Sequence, residues 1–157
     1  MHVEKRFRAK VGHLRNEDKV RNALAEKNCF VHPRAEPMFV ATCAKIVGSR
    51  WLKFVMVTVE DLGHTNGGPF NEICISGLRN GLGLCPTDAG HMLRLAYLEQ
   101  KGGEMLYVAM PSMRHPVSDA PFIYALTRGF GGLLLYNDFA YPHTHMHPKD
   151  KLVFVEP

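Results

Sequence analysis

Apolar residues crowd into one stretch of the chain, Met38 to Val59 (MFVATCAKIVGSRWLKFVMVTV), whose only charges, Lys45, Arg50 and Lys53, gather near its middle. Read with a period of two, the stretch predicts a β-hairpin reversing at Gly48-Ser49, where glycine at the first central position suits a type II′ turn. The register that follows puts Phe39, Ala41, Cys43, Phe54 and Met56 on one face, and Val40, Trp51, Val55, Val57 and Val59 on the other. The turn end is then wet and the far end buried on both sides. A two-stranded ribbon does not stand alone in water, so helices and further strands must cover it.

Around this hairpin the same patterning predicts the remaining elements. Arg6 to Val11 alternates strictly and reads as a short strand, in competition with a helix through Val3, Phe7 and Leu14. A helix follows, capped by Asn16, with Glu17 and Asp18 at its positive end and Val20, Ala23 and Leu24 as its apolar face. Cys29 to His32 is a strand stopped by Pro33. Beyond a Gly-rich loop, 63 to 68, Pro69 suits the first position of a helix carrying Phe70, Ile73, Cys74, Gly77 and Leu78, although Ile75 breaks the spacing and leaves a strand open. Thr87 to Lys101 predicts a second clear helix with Thr87 as N-cap, apolar around most of its circumference. Strands are expected at 104 to 110, 122 to 127, 133 to 137 and 152 to 155, the middle two joined by Arg128-Gly-Phe-Gly-Gly132.

These elements make a single α+β domain over residues 1 to 157: a curved antiparallel sheet with two or three helices on one face. Matching AEKNCFVHP with PMFVATCAKI to LEQKGGEMLYVAMP with PFIYALTRGF raises a duplicated αβββ unit as one arrangement.

Composition narrows the class. At 46% apolar and 22% charged, the chain matches a soluble globular protein, and no apolar run is long enough to span a bilayer. The N-terminal residues lack the apolar core of a signal peptide, so a cytoplasmic location is expected. Cys29, Cys43, Cys74 and Cys85 form no C-x-x-C pair and three lie among apolar neighbours, which favours free thiols. The net charge of +4 sits entirely in residues 1 to 27. Basic residues there without interleaved aromatics read as a solvated face, and a nucleic-acid partner is not expected.

Familiar signatures are absent. Gly63-x4-Gly68 runs into Pro69-Phe70 where a phosphate-binding loop needs Lys and Ser or Thr, and Gly81-Leu-Gly83 runs into Pro86 where a dinucleotide fingerprint needs glycine. Neither H-E-x-x-H nor G-x-S-x-G occurs. The sharpest feature is Tyr141-Pro-His-Thr-His-Met-His-Pro148, in which an extended backbone turns His143, His145 and His147 to one side. Neighbouring pairs are about 6.6 Å apart at Cα, within reach of one zinc or iron ion, whereas three ligands on one ion require a bend. Asp138, Asp150, His64, His91 and His115 are the candidates to complete such a site, and the competing reading is an incidental surface loop between two prolines. His64 is the candidate general base, beside Glu60 and Asp61. His91 is expected on a polar stripe beside Arg94, with a binding role open to it, and Arg128 in its glycine-rich turn is a candidate anion clasp.

Two functional classes follow. The first is a non-enzymatic module binding a small molecule or protein partner in an apolar pocket between sheet and helices, with homodimerisation through exposed strand edges. The second is a metal-dependent enzyme, hydrolytic or oxygen-using, built on the H-x-H-x-H segment.

Overall fold

The strict alternation near the N-terminus forms β1 (Lys5–Val11), and Asn16 caps α1 (Glu17–Glu26) by accepting the Lys19 N–H at 3.0 Å. The structure, a computed structural model, describes all 157 residues. After β2 (Cys29–Val31) and a 3-10 turn at Pro33–Ala35 come α2 (Glu36–Cys43), β3 (Arg50–Thr58) and a second 3-10 turn, Glu60–Leu62. A short strand, β4 (Gly68–Pro69), leads directly into α3 (Phe70–Arg79), and α4 (Gly90–Ala96) follows. The C-terminal half supplies β5 (Met105–Val108), β6 (Met113–Arg114), β7 (Pro121–Gly129), β8 (Gly132–Phe139), β9 (His145–Met146) and β10 (Lys151–Glu156).

Seven strands form a curled sheet in the order β1-β3-β10-β5-β7-β8-β2, with β6 added beside β7 and β4 pairing with β9 in a separate ribbon. Most pairings are antiparallel; β2 with β8 and β5 with β10 are parallel. The register assigns the faces. Phe7, Phe54, Leu106, Tyr124, Leu126 and Leu135 share one face, on which α1, α2 and α4 lie. Val55, Leu152, Phe154, Tyr107 and Ile123 share the other, where α3 crosses at Gly77 so closely that a Cβ there would meet the Phe154 ring. Three helices thus share one face, as the patterning predicts, and a fourth covers part of the opposite one.

The predicted hairpin does not form. Only its second half, β3, is a strand, and its first half is α2. Both edges of β3 are occupied, by β1 and by β10, so no edge is left for a hairpin partner. Residues 38 to 41 form a short continuous apolar run, whose periodicity does not separate a buried strand from a buried helix. Pro37 in the first turn, with Glu36 beside it, starts the helix, and Met38, Phe39, Thr42 and Cys43 then fall on one buried face. The internal match consequently aligns α2 with β7, a helix with a strand, and is no repeat of structure.

The second helix is shorter than predicted, Gly90–Ala96 in place of 87 to 101. Asp88 does not serve its N-terminus; its carboxylate accepts from Arg50 Nη2 at 2.7 Å, Arg50 Nη1 at 3.0 Å and the Val47 N–H at 3.3 Å. At the other end the Arg94 guanidinium donates to the Tyr97 carbonyl, Gln100 Oε1 and the carbonyls of Thr127 and Leu134. Gln100 in turn donates to Leu126 O and Glu104 O, which draws the chain off the helical path onto the sheet.

Candidate ligand-binding cleft

Two clefts lie back to back where β7 begins and β8 ends, separated by the sheet. Alternation along these strands puts Phe122 and Asn137 in the first and Ile123 and Asp138 in the second.

The first, about 140 Å³, opens between α2 and the sheet. Met38 and Ala41 of α2 form one wall, Met113 of β6 and Phe122 of β7 the floor, and Arg34, Arg114 and His115 the rim. Arg34 is held rigidly. Its Nε donates to Asn137 Oδ1 at 3.1 Å, its Nη2 to Asn137 O at 2.7 Å, and its guanidinium carbon lies 4.7 to 5.4 Å from the ring centres of Tyr136, Phe139 and Phe122. Stacking fixes the guanidinium plane and Asn137 occupies Nε and Nη2, which leaves Nη1 to donate into the cleft. Asn137 answers by donating to Arg34 O at 3.3 Å. His115 Nδ1 accepts the N–H groups of Val117 and Ser118 at 3.1 and 3.2 Å, so its proton sits on Nε2. Arg114 is anchored through Nη1 to Asp119 O at 3.0 Å. No carboxylate lines this cleft; Asp138, which reaches Arg34 Nη2 at 3.5 Å, belongs to the other.

The second cleft, about 100 Å³, is of opposite character. It gathers Asp138, Asp150, His145, Thr144 and Tyr107. Burial, together with the charges of Asp138 and Asp150, pushes the Tyr107 phenol up to about 12. Asp150 also accepts the His147 N–H at 2.9 Å, closing the turn that precedes β10.

The histidine segment divides. His145 and His147 have ring centres 5.5 Å apart, edge to face, whereas His143 stacks on Tyr141 at 5.7 Å. The one set of three potential metal ligands whose donor atoms lie within 4.8 Å of one another is His2, Glu4 and Asp61 at the surface, and there the Asp61 carboxylate already accepts the Thr58 N–H.

His64 Nε2 lies 2.7 Å from Ser76 Oγ, fastening the loop after β3 to α3; neither residue lines either cleft. That loop passes so close to β9 that a side chain at Gly67 (φ +77°) would strike the Met146 carbonyl. Arg128 is exposed in a shallow hollow with Gly102, Gly103, Gly129 and Phe130, and its Nη1 is bonded to Gln100 O. His91 is not on a polar stripe: it is buried against Phe39, with neither ring nitrogen hydrogen-bonded, and burial lowers its pKa to about 4. All four thiols are free.

Sequence patterning names His115 but passes over Arg34 and Arg114. Nothing in the linear order couples Arg34 to a segment 80 residues away; the pairings of β6 with β7 and of β7 with β8 bring them together. No helix is long and apolar enough to cross a membrane. No family model, curated protein or solved structure matches this chain.

Proposed function

We propose that the protein is a non-enzymatic binding module for a small amphipathic anion, such as an aromatic or short branched carboxylate, held in the cleft between α2 and the sheet. The observation that carries this reading is the composition of the lining: Arg34, Arg114 and His115 around an apolar floor, with no carboxylate among them. A carboxylate finds a donor in Arg34 Nη1, on a guanidinium whose plane is already fixed by stacking, and further donors in Arg114, while its apolar body covers Met38, Met113 and Phe122. The small volume favours a ligand of few heavy atoms. A ligand at about one hundred times its Kd stabilises the native state by about 2.7 kcal/mol, enough to move the melting temperature measurably. In a thermal-shift series, benzoate-like and branched-chain carboxylates raise the melting temperature, their neutral amides do not, and Arg114→Ala abolishes the difference. Equal shifts for acid and amide would remove the anion from the proposal.

A second reading is supported by the other cleft, which brings His145 together with Asp138 and Asp150, three of the side chains expected to serve a zinc or iron centre. It expects about one equivalent of divalent metal to stabilise the protein, an effect lost in His145→Ala. A melting temperature indifferent to both zinc and chelator would leave this cleft without that role.

A further inference from the structure

We infer that the outer face of β1 and β3 is a binding surface for single-stranded nucleic acid, with Trp51 as the platform on which an unpaired base stacks. The antiparallel register places Arg6 opposite Val55, Arg8 opposite Lys53 and Lys10 opposite Trp51. Paired residues point to the same side of a sheet, so Arg6, Arg8, Lys10, Trp51 and Lys53 share one face, opposite the core residues Phe7, Ala9 and Phe54. All five are exposed, Trp51 at 59%.

The charges on this face are mostly unspent. Arg6 meets Glu156 at 3.6 Å, but Arg8, Lys10 and Lys53 form no ion pair. The Arg8 guanidinium lies 5.4 Å from the Trp51 ring centre, which keeps the indole beside the cations. An exposed tryptophan edged by cations on a sheet is the combination that sequence-tolerant single-strand binders use: cations track phosphates while the ring receives a base. Along the chain no aromatic residue interleaves with the bases of β1 as an outward partner; pairing with β3 supplies one. Charge complementarity therefore selects a polyanion, and the indole selects one with unpaired, stackable bases. A duplex, whose bases are stacked internally, offers the indole nothing.

Trp51 is the only tryptophan in the chain, so its fluorescence reports directly on the proposed contact. The experiment titrates the protein with oligothymidylate and oligouridylate of about 12 nucleotides at about 50 mM salt. Quenching of Trp51 is read alongside the anisotropy of labelled oligonucleotide. Both strands are expected to bind with quenching, DNA and RNA being distinguished by their relative affinities. Trp51→Ala, read by anisotropy, should weaken binding about 5- to 150-fold, the range measured for loss of a stacked base. Arg8→Glu and Lys53→Glu, both fully outside the core, should weaken it further at low salt. Removing one of these cations should lower the salt slope by about 0.7. Absence of binding at low salt overturns the proposal. So does binding that leaves Trp51 unquenched, or duplex and heparin binding as tightly as the single strand, since either describes a general polyanion surface.

Discussion

His91 shows how much a single burial changes a residue's chemistry. A helical wheel puts it with Arg94 on a polar stripe, yet both residues lie inside, His91 without a hydrogen bond and Arg94 with four acceptors around its guanidinium. With its pKa lowered from 6.5 to about 4, His91 is neutral in the native state throughout the range in which an unfolded histidine takes up a proton. The unfolded chain then binds more protons, so stability is complete above about pH 6.5 and falls as pH drops towards 4, by about 3 kcal/mol from this group alone. Urea denaturation at a series of pH values should show that His91→Leu flattens this slope and raises stability at pH 7, since two unpaired polar atoms leave the core. For Arg94 the expectation is a loss of at least about 2 kcal/mol in Arg94→Lys, because one ammonium does not reach the span of acceptors that a planar fork serves. Gly90 is a residue of the same kind: a Cβ there would press into the Tyr124 ring, and Gly90→Ala should cost about 1 to 3 kcal/mol in the same assay.

Elements turn on what their neighbours leave free. β3 has both its edges occupied, by β1 and by β10, and its inner residues, Phe54 to Thr58, are buried without alternation. The apolar run before it had to become something else, and Pro37 made it a helix. This assignment has a test whose sign separates the two readings. Val40 is exposed on α2, so Val40→Ala should raise stability by about 0.5 kcal/mol through helix propensity; in a strand the same change would lower it. The link from α2 to β3 is tied down by Asp88. Burial opposes its ionisation, but the bonds from Arg50 and from the Val47 N–H outweigh that and hold its carboxyl below the usual range. Arg50→Ala leaves a buried carboxylate without its partner, and a loss of about 2 to 4 kcal/mol in chemical denaturation is not expected to be recovered by added salt.

For the whole molecule, one continuous cluster of 38 buried apolar residues joins both faces of the sheet, which predicts a single cooperative unfolding transition. Circular dichroism and the fluorescence of the buried tyrosines should give coincident midpoints. The sheet's free edges are unlike each other: β1 is long but studded with Lys5, Arg6, Arg8 and Lys10, and β2 is three residues. Both are ways of blunting an edge. The sheet also separates two chemically opposite clefts, cationic on the helix-covered face and acidic on the other, using successive residues of β7 and β8.

Local signals were enough for much of this. Alternation in β1, the Asn16 cap of α1, Pro69 before α3, the glycine turn between β7 and β8, and the four free thiols all follow from side chains and backbone within a few residues of one another. Each depends on short-range sterics or hydrogen bonding, which sequence order preserves. Tertiary structure alone decided the state of residues 36 to 43, the early end of α4, the burial of His91, the meeting of Arg34 with Arg114, and the place of Trp51 beside Arg8. Those outcomes depend on which strand edges are already taken and which charges find partners 38 to 104 residues away, quantities that no local period contains.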